Sequence, residues 1–371
     1  MLKIQEFIQA NDNWEQLLAA APYNLTIKWD DGFVLFKYNQ ISSDFSQDIC
    51  KEARGLILDS TQNFKVVRFA FGKFFNLGES FAAQIDWDTA VSNEKIDGSL
   101  MSVWYARGKW HLSTNGTIDA FKAEINGVGP YKNFGELFES VLPLSWFTET
   151  LSSYFTHICY TFELVSPYTQ IVLSYPETKV FLLSTRNMDT LEEYPLDETA
   201  EFAKRFDLTM PQFYYMNDEA GFKRLVDSFD ETHEGIVVRD ARGQRIKLKT
   251  PFYFELHRMA GNGKLTAERA LHLVRTNEVD EFLAYFGQYK DYIAKIKDFY
   301  NQILSTLAEV ELEVKRMNES NKMPRKEFAE FAKKKDYPFL YFKAYDAQDL
   351  KSYIENLTDV SFLKMFKFKE S

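Results

Sequence analysis

Short runs of apolar and β-branched residues, separated by Gly, Asn and Asp, recur through about residue 256. Such runs are typical of strands bounded by turns. Helical periodicity interrupts them at about 117–126, 133–142, 197–206 and 217–228. Because strands and helices do not alternate regularly, the pattern predicts a mixed, mainly antiparallel α+β domain over residues 1–256, not a doubly wound parallel sheet. The predicted strands are 32–38, 55–59, 99–105, 159–165, 179–184, 235–239 and 245–249.

The pattern changes after residue 263, where apolar residues begin to recur at spacings of three and four. Thr266 is placed to cap a short helix, and one long amphipathic helix is predicted over about 288–316. Pro324 opens another helix, and further helical patterns run from about 347 to 367. The aromatic-rich seam of the long helix favours a bundle core over a coiled-coil dimer. We therefore expect an all-helical C-terminal domain over 257–371 and a monomeric protein.

Composition limits the classes of function. The chain has 371 residues, with 44 Lys+Arg against 54 Asp+Glu, a formal net charge of −10. This balance argues against wholesale binding of duplex nucleic acid, which needs many neutralised phosphates, but not against a local cationic pocket. Two cysteines cannot form a disulfide framework or a structural zinc site. With no leader-like start and no long apolar run, we expect an intracellular, cytoplasmic protein without a membrane partner.

The segment Glu94-Lys95-Ile-Asp97-Gly98 is the sharpest local candidate for chemistry. Lys95 and Asp97 would share one face at the end of a strand, and Gly98 would allow a tight turn beside a nucleotide. An amine nucleophile must be neutral, so neighbouring cations would have to favour loss of the Lys95 proton. The alternative is a hairpin turn at Asp97-Gly98 with an exposed Lys95.

Charged residues inside apolar strands are further candidates. In Arg245-Ile-Lys247-Leu-Lys249 the two lysines share one face, and inward ammonium groups would need an anion between them. An amphipathic surface strand is the alternative. Glu234 precedes one apolar strand and Glu163 lies inside another. A buried carboxylate at such a position needs a hydrogen-bonding partner, a ligand or a metal ion.

The order of these motifs resembles that of the covalent nucleotidyltransferases, which comprise nucleic-acid ligases and mRNA-capping enzymes. Within that superfamily the chain resembles the RNA ligase 1 family of tailed phages, over about residues 33 to 257. Any one motif is common, but six in the same order and spacing are highly specific. They are Glu52-Ala-Arg54-Gly55, Lys73-Phe-Phe-Asn76, Lys95-x-Asp97-Gly98, Phe162-Glu163, Glu234-Gly235 and Lys247-x-Lys249.

The resemblance implies an ATP-dependent RNA ligase that joins 5′-phosphate and 3′-hydroxyl ends of single-stranded RNA or broken tRNA in RNA repair. Lys95 would attack the α-phosphorus of ATP to form a lysyl-AMP, the AMP would pass to the RNA 5′-phosphate, and a 3′-hydroxyl would displace it. Mg²⁺ is the expected ion, with Mn²⁺ as an alternative. A phage protein in the host cytoplasm would fit. The alternatives are a DNA ligase, a capping-type nucleotidyltransferase or a non-catalytic RNA-binding protein.

The resemblance also implies roles for residues around the nucleotide. Tyr38 matches a position near the nucleotide, with an ordinary strand aromatic as the alternative. Arg54 and Lys73 would bind phosphates of ATP, although each alone could form a surface ion pair. Glu163 would hold the ribose.

A second group would act on the reacting phosphate, the metal or the RNA. Lys247 and Lys249 would contact the α-phosphate and help pyrophosphate leave. Glu234 would serve the catalytic ion, and Asp280 lies near the level of a metal-binding aspartate, although a solvated helix face is the favoured interpretation there. Tyr253 would contact substrate, with packing as an equal alternative.

One segment departs from the family. Where the phage family has Lys-Ser-Lys-Gly-Ser, this chain has Ser113-Thr-Asn115-Gly116-Thr117, so two cationic positions are lost. Gln170 stands where the family can have Arg. Asn115 remains a candidate substrate contact, but the contacts to the triphosphate or the RNA 5′-phosphate must differ.

Overall fold

Strands dominate the first two thirds of the chain, and helices make up the last third. The computed structural model describes residues 1–40, 42–125, 129–151, 153–253, 265–318, 323–346, 349–355 and 357–368. The chain forms two units, Met1–Leu256 and His257–Ser371.

The first unit contains three sheets. A four-stranded sheet has the order β1-β2-β3-β4, a second has β10-β9-β7-β8, and a five-stranded sheet has β11-β6-β12-β13-β5. Every pairing is antiparallel except that of β13 with β5. The predicted α+β class is confirmed, and each predicted strand is present to within three residues. The strands are β1 (Thr26–Asp30), β2 (Phe33–Lys37), β3 (Arg54–Asp59), β4 (Lys65–Arg68), β5 (Phe75–Asn76), β6 (Val91–Glu94), β7 (Ser99–Ala106), β8 (Lys109–Thr114), β9 (Ile158–Val165), β10 (Lys179–Asn187), β11 (Phe213–Tyr214), β12 (Gly235–Arg239) and β13 (Arg245–Lys249).

Short helices cover these sheets, and three of the four predicted in this unit are confirmed. The start of one is fixed by Asn133, whose side chain accepts a hydrogen bond from the N–H of Glu136, and that of another by Asp218, which accepts from Gly221. The helices are α1 (Lys3–Ala10), α2 (Trp14–Ala19), α3 (Asp48–Glu52), α4 (Phe134–Glu139), α5 (Leu144–Thr150), α6 (Leu196–Arg205) and α7 (Glu219–Asp227).

The helix predicted over 117–126 is wrong; its last residue lies outside the described part of the chain. Only Ala120–Lys122 forms a single 3₁₀ turn, which the Asp119 side chain caps. Beyond that turn the backbone pairs non-locally, with the Ile125 N–H donating to the Lys132 carbonyl at 3.0 Å. These contacts satisfy the polar backbone groups in place of helical hydrogen bonds.

The aromatic excess fills the cores between these layers. Trp104, Phe138, Phe147, Tyr160 and Phe162 are all fully buried. Rings in van der Waals contact, such as Phe147 and Tyr160 with centroids 5.7 Å apart, bury large apolar areas. The packed sheets therefore give a rigid frame for residues at their edges.

The second unit is helical, as predicted. Thr266 caps α8 by accepting from the N–H of Arg269, and the predicted long helix is α10. Its apolar stripe is buried inside this unit: Tyr300, for example, lies 5.2 Å from the Phe362 ring of α14. The helices are α8 (Ala267–Thr276), α9 (Val279–Tyr285), α10 (Lys290–Asn318), α11 (Arg325–Ala332), α12 (Pro338–Tyr345), α13 (Leu350–Glu355) and α14 (Asp359–Met365). Among the described residues, no helix combines the length and apolarity needed to span a membrane.

The start of β12 requires a glycine, which gives a test of the fold. Gly235 has φ +148°, and a Cβ there would overlap the Leu248 carbonyl oxygen and lie 2.7 Å from the Lys249 Cα. Gly235→Ala should therefore lower the free energy of unfolding by about 3 kcal/mol in urea denaturation. Gly243, with φ +77° and no atom within 4 Å of an added Cβ, provides the control, and Gly243→Ala should cost about 1 kcal/mol. Equal losses would contradict the close approach of the two strands.

Candidate active site

The Lys95-Ile-Asp97-Gly98 segment crosses from one sheet to another. It follows β6 of the five-stranded sheet and precedes β7, which pairs with β9 in a four-stranded sheet. The Lys95 N–H donates to the Gly235 carbonyl at 2.8 Å, which continues the pairing of β6 with β12. The hairpin alternative is therefore wrong, and the segment lies where strands of two sheets can contribute side chains.

Glu234 joins the ammonium groups of two lysines. Its Oε2 lies 2.7 Å from the Lys95 Nζ, and its Oε1 lies 3.2 Å from the Lys249 Nζ. The side chains of Glu234 and Lys249 are each 2% exposed, whereas that of Lys95 is 23% exposed. The surface-strand alternative therefore fails for Lys249. Of the two paired ammonium groups, that of Lys95 has the greater access to solvent.

The parallel pairing of β13 with β5 brings two predicted motifs together. Lys247 lies opposite Asn76, and the Leu77 N–H donates to the Lys247 carbonyl at 3.0 Å. Lys247 is half-buried and lies on the same face of β13 as Lys249. This pairing holds the segment that carries Lys73 beside the strand that carries Lys247 and Lys249.

Asp97 is a buried hydrogen-bond acceptor. Its Oδ2 accepts from the backbone N–H groups of Val172 and Leu173 at 2.8 and 2.7 Å, and its Oδ1 accepts from the Tyr253 hydroxyl at 3.2 Å. Burial raises the pKa of this carboxyl. Tyr253 is 3% exposed and its ring centre lies 4.6 Å from the Lys249 Nζ. The packing interpretation of Tyr253 is thus favoured, and its contact with substrate stays a prediction.

The half-buried Glu163 carboxyl has no hydrogen-bond partner among the described residues. It lies on β9 opposite Leu100 of β7, and it forms no hydrogen bond or ion pair with any residue that the structure describes. Burial raises its pKa to about 8, against the opposing effect of the positive charges of Lys95 and Arg54. A ligand hydroxyl group would supply the missing hydrogen bond, which fits the predicted contact with a ribose.

This raised pKa makes the stability of the ligand-free protein depend on pH. The unfolded chain loses the Glu163 proton near 4.5, whereas the folded protein keeps it to about pH 8, so this group destabilises the fold as pH rises between those values. Glu163→Gln removes the effect. Relative to wild type, the variant should gain on the order of 3 kcal/mol between pH 5 and pH 9 in urea unfolding. Glu149→Gln, at an exposed position, should show no such gain; parallel pH profiles for both variants would contradict the assignment.

Arg54, Lys73 and Tyr38 form a cationic corner at the ends of β2 and β3. Burial by itself would raise the pKa of the Tyr38 hydroxyl, but the positive charges of Lys73 and Arg54 outweigh burial and lower that pKa. The Lys73 Nζ lies 5.2 Å from the Tyr38 ring centre and donates to the Gln40 Oε1 at 3.1 Å.

Neither cation of this corner pairs with an acid in the described part of the chain, so the surface ion-pair alternative does not apply. The Arg54 Nη1 is buried without a hydrogen-bond partner among the described residues. An anion such as a phosphate would satisfy it.

Sequence reasoning missed two cations at the turn where the family lysines are lost. The Lys28 Nζ donates to the Gly116 carbonyl at 3.0 Å, and the Lys37 ammonium lies beside the same glycine. Ser113 is fully buried, so it faces the core, whereas Asn115 is half-buried with an unpartnered Oδ1 among the described residues. Positive charge therefore reaches this turn from β1 and β2, strands distant in sequence.

Arg68 was also missed. It is fully buried, its Nε donates to the Ser102 Oγ at 3.0 Å, and its Nη1 donates to the Arg54 carbonyl at 3.2 Å. Burial lowers its pKa to about 10. Arg68 thus positions the strand that carries Arg54, and an isolated Arg in a strand pattern gave no signal of this role.

A divalent ion would depend on the substrate for most of its ligands. In the described residues no group of three His, Cys, Asp or Glu side chains could hold a metal. Glu234 has both carboxylate oxygens in ion pairs. Asp280 is exposed on α9, as expected for a solvated helix face. The metal roles of both acids stay predictions, although oxygen donors of this kind with phosphate oxygens suit a hard cation.

Lys95 and Lys249 meet on the buried Glu234, and Arg54 and Lys73 form the cationic corner of the same unit. The RNA ligase family model matches residues 52–258, and the chain belongs to the RNA ligase family, whose members are phosphodiester-forming enzymes. The family predicted from the motifs is therefore confirmed.

Individual relatives are distant. The chain is 26% identical over 362 residues to the RNA ligase of Rhodothermus phage RM378, covering 80% of this chain and 81% of that protein. An archaeal ATP-dependent RNA ligase structure is 13% identical with a TM-score of 0.48, covering 84% and 82% of the two chains. A Naegleria gruberi RNA ligase structure with ATP and Mn is 13% identical with a TM-score of 0.35, covering 45% and 51%.

Proposed function

We propose that this protein is an ATP-dependent RNA ligase that seals 5′-phosphate and 3′-hydroxyl ends of single-stranded RNA through a lysyl-AMP and an RNA-adenylate. The observation that carries the proposal is the Lys95 ammonium, which is partly exposed beside the buried Glu234. Two residues of the same unit support it: Arg54, whose Nη1 has no hydrogen-bond partner among the described residues, could bind a phosphate, and Glu163 could bind a hydroxyl group.

In the first step, the neutral Lys95 amine forms a bond to the α-phosphorus of ATP while the bond from that phosphorus to the bridging oxygen breaks, releasing pyrophosphate. Lys247 and Lys249 stabilise charge on the α-phosphate and the leaving group. Arg54 and Lys73 bind the other phosphates, Tyr38 lies near the nucleotide, and Glu163 donates or accepts a hydrogen bond at the ribose.

In the later steps, an oxygen of the RNA 5′-phosphate takes the AMP from Lys95, whose nitrogen–phosphorus bond breaks. A 3′-hydroxyl then attacks the activated RNA phosphorus, forming the phosphodiester and releasing AMP. Asn115 and Tyr253 are the residues proposed to contact RNA.

Mg²⁺, or Mn²⁺ in its place, would neutralise phosphate charge when bound, and Glu234 is the residue of the first unit proposed to serve it. Asp280 is a separate candidate metal ligand in the second unit. We assign adenylyl transfer to residues 1–256, and the helical residues 257–371 form a separate unit. RNA repair, including repair of a broken tRNA, is the proposed setting, and the proposed state is a monomer acting in the cytoplasm.

The test begins without RNA. Incubation with α-labelled ATP and Mg²⁺ should give a covalently labelled protein and free pyrophosphate, whereas α-labelled GTP should not. A 5′-phosphorylated single-stranded RNA should then be sealed in preference to a nicked DNA duplex. Absence of label with either nucleotide would overturn the proposal, and preferential sealing of DNA would replace RNA ligation with DNA ligation.

A further inference from the structure

A cavity in the first unit is lined by none of the residues Lys95, Glu163, Glu234 or Lys249. It has a volume of about 350 Å³ and is lined by segments of α3, the chain around β4 and β5, and the β12–β13 hairpin. A volume of this order can accommodate a small ligand such as one nucleotide. All of its lining residues belong to the first unit.

The cavity wall is aromatic, with phenylalanines at positions 69, 71, 74, 75 and 81. Phe81 is 44% exposed, and its ring centre lies 5.7 Å from that of Phe75. The chain therefore keeps a solvent-accessible ring at the cavity, supported from behind by a buried one. An exposed ring held in this way can stack on a base of any identity.

The wall is also cationic. Lys51, Lys73, Arg186 and Arg245 line the cavity, and its lining in the described part of the chain includes no acidic residue. The Lys51 ammonium pairs at 3.0 Å with Asp48, whose side chain is exposed. This charge balance favours a polyanion over a neutral peptide or a hydrophobic ligand.

The two arginines that line the cavity, Arg186 and Arg245, contact the same carboxylate as a third arginine, Arg239. Glu193 contacts Arg186 at 2.8 Å, Arg239 at 3.1 Å and Arg245 at 2.9 Å, and each of these four side chains is nearly buried. Three guanidinium groups around one carboxylate leave an excess of positive charge beside the cavity. Hydrogen bonds and ion pairs to Glu193 fix the positions of these guanidinium groups, so the positive charge is part of the folded structure and not a chance cluster of mobile surface side chains.

The cavity adjoins the cationic corner of the candidate active site. The Phe71 ring lies between the Arg245 guanidinium, 5.1 Å from its centre, and the Arg54 guanidinium, 4.8 Å from it. Lys73 contributes to both sites. A strand bound in the cavity would therefore lie next to Arg54 and Lys73, the groups assigned to the ATP phosphates that leave as pyrophosphate.

We propose that this cavity binds one nucleotide of the single-stranded RNA substrate, with the base stacked on Phe81 and the backbone phosphate facing Lys51 and the arginines. The proposal rests on the proposed RNA-ligase function and names the place where the RNA strand is held. Since stacking and charge carry the contact, binding should be insensitive to base identity and weakened by salt.

The experiment compares two readouts in the full-length chain. Affinity for a fluorescent, 5′-phosphorylated 12-nucleotide RNA is measured without ATP, and covalent labelling by ATP is measured without RNA. Phe81→Ala should raise the Kd for RNA about tenfold, the loss expected for one stacked base. Lys51→Ala should raise it less and reduce its salt dependence by about one phosphate contact. Both variants should be adenylylated like wild type.

Tyr215→Ala is the matched control, because Tyr215 is 71% exposed and follows β11, at the opposite edge of the sheet from β5. Phe81→Leu, which keeps apolar volume without the ring, should also weaken binding and covers the case in which the alanine variant does not fold.

Wild-type Kd values for Phe81→Ala and Phe81→Leu would overturn the proposal. Slower adenylylation matching the loss of RNA binding would instead assign the cavity to ATP. Failure of wild type to react with ATP would overturn the proposed function but leave the RNA-binding comparison valid.

Discussion

Lys95→Arg is expected to reduce covalent adenylylation by more than about a thousandfold, as is Lys95→Ala. The arginine variant is the more informative because it keeps a positive charge next to Glu234, 2.7 Å away in the wild type, and should fold normally. A guanidinium group is not deprotonated in proteins, so it cannot offer a free electron pair to phosphorus. Retention of charge and fold with loss of the adduct would separate nucleophilic catalysis from electrostatic binding of ATP.

The measurement is single-turnover labelling with α-labelled ATP and Mg²⁺, followed by mapping of the labelled peptide. Lys179→Arg provides the control, because the Lys179 side chain is 52% exposed and pairs only with the exposed Glu177 on the surface. Wild-type label in the Lys95→Arg protein, or a labelled peptide that lacks residue 95, would show that another residue is the nucleophile.

Removal of the Glu234 carboxylate is expected to have the second-largest effect. Glu234→Ala removes an ion-pair partner from the ammonium group of Lys249, which is 2% exposed, and breaking a buried pair on one side costs about 3–5 kcal/mol. The same change removes the partner of Lys95, so adenylylation should fall as well. Glu234→Gln keeps the shape but not the charge and should lose nearly as much stability.

A second-site change makes this prediction sharper. In the Glu234→Ala background, Lys249→Met removes the buried ammonium group that has lost its Glu234 partner, so the double variant should recover part of the lost stability in urea unfolding while remaining unable to form the adduct. Glu177→Ala, at an exposed pair, should change stability little. Equal stability of the Glu234→Ala and Glu177→Ala proteins would contradict a structural role for the buried pair.

Much of the fold could be predicted from local pattern. The strands at 235–239 and 245–249 have the bounds predicted for them, because alternating residues and flanking polar turns carry their own boundaries. The long helix of the second unit likewise follows from spacings of three and four. The segment 117–126 shows where this fails: its periodicity is helical, but hydrogen bonds to residues 132–134 replace the local ones.

The candidate site was predictable in its parts. Lys95, Glu163, Glu234 and the lysines of β13 each stand in a short motif, and the order of the motifs identified the family. The partners of those residues were not predictable. Tyr253 reaches Asp97 across 156 positions, so no local spacing could have suggested that contact.

By itself, the sequence determined the seven predicted strands, the helical nature of the last third and the family, since these depend on periodicity and on motif order along one dimension. Only the tertiary structure decided which charges meet. It placed Lys95 and Lys249 on one buried carboxylate, brought Lys28 and Lys37 to the turn that lost its own lysines, and set three arginines around Glu193. The physical reason is that electrostatic energy depends on the distances between charges and on their burial. The net charge of −10, which is a sum along the chain, carries no information on either.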